Sequence, residues 1–286
     1  MHSDGSRGAV VVTGSSTGIG RACVLHLDRL GFRVFGGVRR REDAESLRAE
    51  ASERFEPLIL DVTDPDQIRE AAERVTQGTE PRLAGLVNNA GIGVGGPLEL
   101  LPVDDFRHQI EVNLIGQVAV SKAFIPALRR ARGRIVFISS IGGRIATPFM
   151  SPYHASKFGI EAVGDVLRQE LRPSGIQVSI VEPGSIATPI WDKGKATAQA
   201  VRADLSGEGR ELYGDALARA EERLEQTSRR GASPEKVARV VADALTASRP
   251  RTRYLVGGDA RVTAALAKLV PDRLRDRLIA RASGLG

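Results

Sequence analysis

The sequence predicts an α/β protein built on a doubly wound, seven-stranded and mainly parallel sheet with helices on both faces. Short β-branched runs alternate with longer amphipathic stretches along the chain, which is the pattern of strands joined by crossover helices. Most of the strand-like runs are continuously apolar, as expected when helices cover both faces of a sheet. No shift in composition marks a domain boundary before the end of the sixth strand, so residues 1–286 are predicted to form one domain.

The elements follow in order from these runs. Strands are predicted at Ala9–Thr13, Arg33–Val38, Pro57–Asp61, Gly85–Asn88, Arg134–Ser139, Gln177–Val181 and Arg253–Val256. Helices are predicted at Gly18–Leu30, Glu42–Glu53, Pro65–Thr76, Val103–Arg132, Pro152–Leu171 and Ser233–Ala247. Asp64 and Ser233 each precede a proline that can take the first helical position, which is a helix start signal.

Two segments lie outside this alternation. Residues 185–230 are rich in small and charged side chains and long for a connection, so they are predicted to be partly helical or a substrate lid. Residues 259–286 form a basic amphipathic tail interrupted by Pro271, predicted to be a helical pair that covers the body or makes an oligomer contact. Attachment to a membrane surface is the alternative, because a basic face beside an apolar face is the interfacial pattern.

Composition indicates the class of protein and its location in the cell. Hydrophobic residues make up 42% and charged residues 27%, as in an ordinary globular protein. The single cysteine excludes an internal disulfide, and no apolar run is long enough for a membrane span. Since the N-terminal residues also lack an apolar signal core, a cytoplasmic protein is predicted. The net charge of +6 comes from scattered arginines and only six lysines, so no nucleic-acid partner is expected.

A glycine-rich turn follows the first strand. Val10–Val12 lead into Thr13-Gly14-Ser15-Ser16-Thr17-Gly18-Ile19-Gly20 and then into a helix. Glycines let the backbone approach a pyrophosphate, and the helix N-terminus supplies free N–H groups and a positive dipole end. The spacing G-x-x-x-G-x-G departs from the general G-x-G-x-x-G, but the strand and helix around it predict a Rossmann-type nucleotide site.

The end of the second strand bears on the choice of cofactor. An NAD site usually has Asp or Glu there for the ribose 2′-OH, whereas this chain has Val38 followed by Arg39-Arg40-Arg41. Guanidinium groups suit the 2′-phosphate of NADP, so NADP(H) is favoured and NAD(H) stays open. The arginines could instead simply begin the next helix, and Glu42 or Asp43 could reach the ribose.

A second set of residues points to proton transfer. Tyr153 and Lys157 are four residues apart in a predicted helix, so they share one face. A free tyrosine has a pKa of about 10, and a nearby ammonium is expected to lower it toward neutrality. Ser140 lies at the carboxyl end of a strand, where α/β sheets place ligands. Asn113 lies inside the long fourth helix, where a buried amide is unfavourable without a hydrogen-bond partner.

Together these residues resemble the short-chain dehydrogenase/reductase family, in its single-domain branch. The likeness rests on Thr13–Gly20, Asn88-Asn89-Ala90-Gly91, Asn113, Ser140, Tyr153 with Lys157, and Pro183-Gly184, in the family's order from about Gly8 to Thr188. Ser140 precedes Tyr153 by 13 residues, the family's usual gap, which selects Ser140 over Ser139.

The resemblance implies a role for each residue. Tyr153 would be the general acid/base on the substrate oxygen, and Lys157 would lower its pKa and bind the nicotinamide ribose. Ser140 would orient the substrate carbonyl or hydroxyl, and Asn113 would hold a relay water. The implied cofactor contacts are Gly14, Ser16, Thr17, Gly18, Ile19, Gly20, Arg39, Asp61 (with the adenine amino group), Val62, Asn89, Ala90, Gly91, Tyr153, Lys157, Pro183, Gly184, Ile186 and Thr188.

Residues 134–191 look most like the hydroxysteroid and retinol dehydrogenase branch, which implies an apolar alcohol or ketone such as a steroid, retinoid or other lipid. Candidate pocket walls, or else plain core, are Ile92, Val94, Phe149, Met150, Ile190 and Trp191. The family also suggests a homodimer or homotetramer through the fourth and fifth predicted helices. His154 is expected on another helix face and not in catalysis, and Cys23 is expected to be a buried hydrophobe. No metal is expected, and a dinucleotide-binding regulatory module without chemistry is the alternative function.

Overall fold

A computed structural model describes residues 7–77, 82–190, 199, 201–203 and 205–285. Seven strands form one sheet in the order β3-β2-β1-β4-β5-β6-β7. Every pair of neighbouring strands is parallel, so the predicted fold class is confirmed and the sheet is parallel throughout. The order reverses at β1, which lies between β2 and β4. Such a switch point opens a crevice at the carboxyl edge of the sheet, where α/β folds bind ligands.

The strands are β1 (Ala9–Val12), β2 (Arg33–Val38), β3 (Phe55–Ile59), β4 (Leu83–Asn88), β5 (Arg134–Ile138), β6 (Gln177–Pro183) and β7 (Arg253–Val256). The helices are α1 (Gly18–Arg29), α2 (Arg41–Arg48), α3 (Pro65–Gln77), α4 (Val103–Ile110), α5 (Gly116–Ala131), α6 (Ser151–Glu170), α7 (Gly207–Arg230), α8 (Pro234–Thr246), α9 (Gly258–Leu269) and α10 (Asp272–Ser283).

The largest differences from the predicted bounds are in three elements. The second helix ends at Arg48 and not at Glu53, because β3 begins earlier, at Phe55. Asp61 therefore follows β3 by two residues and does not end it. The predicted helix Val103–Arg132 is interrupted, since a π-helical turn, Glu111–Ile115, separates α4 from α5.

Two apolar layers sandwich the sheet. Val10 and Val12 of β1 face the layer that contains α1 and α8, whereas Val11 faces the layer that contains α3, α5 and α6. This alternation follows from the two-residue repeat of a strand, and it explains why the strands are continuously apolar. Cys23 is fully buried in the first layer, and burial raises the pKa of its thiol to about 12.

Candidate active site

The glycine-rich turn is held closely against the end of β4. Gly14 and Gly18 have φ angles of +65° and +56°, a region that L side chains rarely adopt. A Cβ on Gly20 would lie 2.2 Å from the Gly14 carbonyl oxygen, so the third glycine allows α1 to pack on the turn. Asn89 Nδ2 donates to the carbonyl oxygens of Thr13 (2.9 Å) and Gly14 (3.0 Å). The turn is thus fixed so that the N-terminus of α1 lies at the carboxyl edge of the sheet.

A cavity at this edge collects most of the predicted cofactor residues. It is lined by Gly14, Ser16, Thr17, Gly18, Ile19, Arg39, Asp61, Val62, Asn89, Ala90, Gly91, Tyr153, Lys157, Pro183, Gly184, Ile186 and Thr188, together with Asn113 and Ser140. Gly20 does not line it and acts through packing. The glycine positions, the α1 N-terminus without a side-chain cap and the basic Arg39 fit a nicotinamide dinucleotide, which these residues would hold.

The three consecutive arginines do not act as one group. Arg39 lines the cavity, whereas Arg40 turns away and bonds both carboxylate oxygens of Asp43 at 3.0 Å. Arg41 is the first residue of α2 and, like Arg40, is not among the cavity-lining residues. One guanidinium, and not three, is therefore available at this point of the site, and Asp43 is already paired.

Asp61 lines the same cavity. Its Oδ1 accepts hydrogen bonds from Thr63 N (2.9 Å) and Thr63 Oγ1 (2.7 Å). Burial works to raise the pKa of the Asp61 carboxyl, but these bonds and the charges of Arg39 and His108 outweigh it and lower the pKa. Asp61 is thus a fixed carboxylate. His108, which the sequence did not indicate, also lines the cavity, and its charge reaches Asp61.

Tyr153, Ser140 and Lys157 meet where this cavity joins a second one. Both Tyr153 and Ser140 line both cavities. The Ser140 side chain lies close enough to the Tyr153 hydroxyl to oppose the rise in its pKa, and Ser140 Oγ accepts from Gly142 N at 3.0 Å. Lys157 Nζ lies 5.6 Å from the centroid of the Tyr153 ring and donates to the Ile138 carbonyl oxygen at 2.9 Å.

The electrostatics of this trio differ from the expectation in one respect. Burial lowers the pKa of Lys157 to about 8, and the negative charge of Glu161 partly opposes the shift. Burial also raises the pKa of Tyr153 above its ordinary value of 10.0, and the nearby Ser140 side chain opposes this only in part. The expected net lowering of the Tyr153 pKa is therefore not found in the protein alone, because burial disfavours the phenolate.

Asn113 belongs to a column of buried polar side chains that the sequence analysis only partly recognised. Its Oδ1 accepts from Ile92 N (2.8 Å), and its Nδ2 donates to Ile92 O (3.0 Å) and Ser156 Oγ (3.2 Å). One turn before it, Gln109 Oε1 accepts from Val94 N at 2.6 Å. One turn after it, Gln117 Nε2 donates to Ala90 O at 2.8 Å. These side chains hold the chain after β4 against the helix.

The column continues to Ser121, whose Oγ accepts from Asn88 Nδ2 at 2.9 Å. Residues 109, 113, 117 and 121 thus bond residues 94, 92, 90 and 88 in turn, and all four are buried. The signal for the missed members was a spacing of four between uncharged polar residues, at 109, 113, 117 and 121. Side chains four apart on an α-helix drift by about 40° per step, and the wider π turn at 111–115 offsets part of that drift.

A cluster of buried and half-buried charges includes Glu161, one turn after Lys157. Arg144 donates two hydrogen bonds to Glu182 Oε1, at 3.0 and 2.9 Å. Arg253 donates to Glu161 (2.9 Å) and Asp165 (2.8 Å) and lies 3.2 Å from Glu182. Burial, together with the charge of Glu161, raises the pKa of Glu182 against the effect of both arginines. This cluster ties α6 to β6 and β7 and places Glu161 one turn after Lys157.

The second cavity, of about 530 Å³, lies beyond Tyr153 and is mostly apolar. Of the predicted pocket walls, Val94, Phe149, Met150 and Ile190 line it. Ile92 lines the cofactor cavity instead, and Trp191 lies outside the described residues. Further walls come from Leu217, Ala220, Arg223, Leu224 and Thr227 of α7, and from Asp259, Thr263 and Ser283 of the two C-terminal helices.

His154 lines this second cavity but is committed to structure. Its Nε2 accepts from Thr147 N at 3.0 Å, so its Nδ1 carries the proton that it donates to Gly142 O at 2.8 Å. Burial lowers the pKa of His154, and the bond to Gly142 opposes the shift. A neutral imidazole with both nitrogens bonded fixes the 142–147 loop that follows Ser140.

Among the described residues, no helix is long and apolar enough to cross a membrane. No group of three or more His, Cys, Asp or Glu in them could hold a metal ion.

An α/β fold whose nucleotide cavity meets a buried tyrosine, serine and lysine defines the class of dinucleotide-dependent dehydrogenases and reductases. The family model for short chain dehydrogenase matches residues 8–199. Retinol dehydrogenase 5 of Mus musculus is 40% identical over 94% of this chain and 87% of its own. The NADPH-dependent 3-dehydrocapnine reductase of Ornithobacterium rhinotracheale is 33% identical over 94% of each chain.

A solved structure agrees with this likeness. The short chain dehydrogenase of Burkholderia cenocepacia, in complex with NADP, has a TM-score of 0.72 and 26% identity and covers 95% of this chain and 97% of its own. The chain belongs to the short chain dehydrogenase family. It is an oxidoreductase that acts on CH–OH groups and their carbonyl counterparts.

Proposed function

We propose that this enzyme transfers a hydride between NADP(H) and an apolar secondary alcohol or ketone, with Tyr153 as the general acid/base. The observation that carries the proposal is the position of Tyr153 and Ser140, which line the nucleotide cavity and the apolar cavity at once. A group bound in either cavity meets the same phenol. The chain is further proposed to be cytoplasmic and a homodimer or homotetramer.

The protein's own residues have distinct tasks in this scheme. The nicotinamide supplies or accepts the hydride when it is bound. Tyr153 has a raised pKa and is protonated at neutral pH, so it is suited to donate a proton to a carbonyl oxygen. Ser140 lies beside Tyr153 at the junction of the two cavities and can orient the substrate carbonyl oxygen. Lys157, with a pKa of about 8, carries a charge at pH 7 that stabilises the phenolate as it forms.

The preference for NADP(H) rests on Arg39. It is the guanidinium at the cavity wall, and Val38 stands where an NAD site usually has a carboxylate. Two relatives support this assignment, since one is named for its dependence on NADPH and another binds NADP. A 2′-phosphate could form an ion pair with Arg39, which an uncharged 2′-OH could not.

The apolar substrate is supported by the walls of the second cavity. Val94, Phe149, Ile190, Leu217 and Leu224 contribute apolar surface, and burial of such surface is the main term in binding a hydrophobic ligand. One relative is named a retinol dehydrogenase, and retinol is a hydrophobic alcohol. A steroid, retinoid or other lipid ketone is therefore the proposed class.

Tyr153→Phe is the test. Turnover of a panel of hydrophobic and small polar ketones with NADPH should fall by about 10²- to 10⁴-fold, the usual contribution of a general acid. Binding of NADPH, followed by fluorescence, should be kept. Unchanged turnover in the variant would remove Tyr153 from the mechanism. Binding of NADPH without turnover of any compound by the wild type would favour a binding module without chemistry, and turnover of only small polar ketones would exclude the apolar substrate.

A further inference from the structure

The two C-terminal helices, α9 and α10, carry an uncovered apolar surface, here called the tail face. It consists of Val262, Leu266, Leu269, Leu274 and Leu278, which are between 44% and 77% exposed. Single exposed apolar side chains are ordinary, whereas five on two successive helices are more than chance exposure explains and indicate an interaction site.

Helix geometry shows that this exposure is systematic. In α9 the buried residues Ala260 and Ala264 lie on one side. Val262, Leu266 and Leu269 are spaced by four and three residues, which places them on the opposite side. Leu274 and Leu278 of α10 are also four apart, and the buried Ser283 lies on the other face. Each helix therefore has an inner face on the body and an outer apolar face.

Positive charge flanks the tail face. Residues 258–285 contain six basic and three acidic side chains. Arg275 pairs with Asp272 at 2.7 Å. Arg261, Lys268, Arg273, Arg277 and Arg281 have no ion-pair partner among the described residues. On α9, Arg261 and Lys268 are seven residues apart and follow one edge of the apolar stripe.

We propose that the tail face docks on the surface of an anionic lipid bilayer. An apolar stripe beside unpaired arginines and lysines is the pattern of a helix that lies in the membrane interface. The apolar side chains would enter the boundary of the acyl chains, and the basic side chains would meet acidic headgroups. The charge favours a lipid surface over a second copy of the chain, because two tail faces in contact would bring basic side chains against basic side chains.

The location of the tail face gives the docking a use, and this step rests on the proposed function. The inner sides of the same helices supply Asp259, Thr263 and Ser283 to the apolar cavity. A bilayer held against the outer side would therefore lie one helix thickness, roughly 10 Å, from the substrate. A hydrophobic ketone dissolved in lipid could then reach Tyr153 without crossing bulk water.

Cosedimentation of the full-length protein with vesicles tests the docking. Phosphatidylcholine vesicles with and without phosphatidylserine are the probes, at low and high salt. We expect binding that requires phosphatidylserine and weakens with salt. Leu269→Ser with Leu274→Ser should abolish it. Arg273→Glu with Arg277→Glu should weaken it by at least about tenfold, since each basic residue near an anionic surface contributes about 1 kcal/mol.

Two matched controls have the same chemistry elsewhere on the surface. Ile59→Ser removes an exposed apolar side chain from the edge strand β3, and Arg48→Glu with Arg251→Glu changes the net charge equally. Neither should alter vesicle binding. Equal binding by the leucine variant, or no binding by the wild type, would overturn the proposal. In another outcome, the wild type binds no vesicles but has a larger molar mass than the leucine variant. That result would assign the tail face to a contact with a second copy, and it would also overturn the proposal.

A soluble assay separates this inference from the proposed function. The leucine variant, which changes no residue of either cavity, should reduce a small water-soluble ketone at the wild-type rate without vesicles. A rate advantage for a lipid-dissolved ketone in anionic vesicles should disappear in the same variant. If neither protein turns over any ketone while the wild type still binds vesicles, the proposed function fails and the docking stands.

Discussion

At the scale of single residues, burial shifts the pKa values of the Tyr153 phenol and the Lys157 ammonium in opposite directions. The pKa of Lys157 falls to about 8, whereas that of Tyr153 rises above 10.0. Both groups are thus protonated at pH 7, which suits proton donation by the phenol beside a fixed positive charge. As pH rises through about 8 the ammonium loses its proton, and stabilisation of the developing phenolate is lost with it.

Glu161 is expected to set the pH at which the Lys157 ammonium loses its proton. Its negative charge raises the pKa of Lys157 against the effect of burial, so Glu161→Gln should lower this pKa below about 8. The alkaline fall in kcat/KM for ketone reduction should then begin at lower pH than in the wild type. Asp165→Asn is the control, because Asp165 bonds the same Arg253 but lies two turns from Lys157. Identical profiles for the wild type and Glu161→Gln would contradict the prediction.

Arg39 is expected to control the choice of dinucleotide. Arg39→Asp replaces the cavity-wall guanidinium with a carboxylate that repels a 2′-phosphate and can accept from a 2′-OH. The ratio of kcat/KM for NADPH over NADH should fall by about tenfold or more, the value of one or two charge-assisted bonds. Arg40→Asp is the matched control, since Arg40 is paired with Asp43 outside the cavity. An equal effect of both variants would show that general charge, and not a contact, decides.

At the scale of elements, the helix that runs through α4, the π turn and α5 fixes the position of residues 88–94, which lead from β4 into the nucleotide cavity. Its polar column bonds every second residue from 94 back to 88. Gln109, Asn113 and Gln117 thus satisfy backbone groups of this segment that would otherwise be buried without hydrogen bonds, and Ser121 bonds the side chain of Asn88 at the end of β4. The position of Asn89 to Gly91 at the cavity therefore depends on a helix that does not line most of it.

Gln117→Leu tests this dependence. It removes the donor to Ala90 O, and an unsatisfied buried carbonyl costs about 1 to 3 kcal/mol. Urea denaturation should show a loss of that size in the free energy of unfolding, and the Kd for NADPH should rise. Gln169→Leu on the exposed end of α6 is the control and should change neither quantity. A loss of stability without weaker NADPH binding would mean that the column supports the fold but not the site.

Sequence reasoning found the elements but not all of their internal structure. Asn113 was recognisable because an amide inside an apolar helix requires a partner. Gln109 and Gln117 satisfy the same argument, yet their common face is visible only once the π turn at 111–115 brings them into line. The raised pKa of Tyr153 was likewise hidden, because burial depends on segments far away in the sequence.

At the scale of the whole molecule, the nucleotide half and the substrate half differ in how far the sequence determines them. The nucleotide cavity forms from strand ends, whose meeting at one sheet edge follows from the parallel topology. The apolar cavity takes walls from residues 93–96, from 140–154, and from α7, α9 and α10. The positions of those three helices follow from packing and not from any motif, so the sequence could propose a lid and a tail but not how they enclose the substrate.

The proposed homo-oligomer gives the last test. Phe158 and Val166 of α6 are 45% and 49% exposed, on one of the helices through which assembly is proposed. An uncovered apolar helix face of this kind suits a symmetric contact with a second copy. Light scattering should give a dimer or tetramer for the wild type, and Phe158→Glu with Val166→Glu should give a monomer, because paired carboxylates would face each other across the axis.

Leu212→Glu, at a somewhat more exposed apolar position on α7, is the control and should keep the wild-type mass. The tail-face variant Leu269→Ser with Leu274→Ser should keep it too, since docking on lipid and self-association are assigned to different surfaces. A wild-type mass for the α6 double variant would remove α6 from the contact. If only the tail-face variant were monomeric, the assembly would use α9 and α10, and the membrane-facing side of the molecule would have to be placed elsewhere.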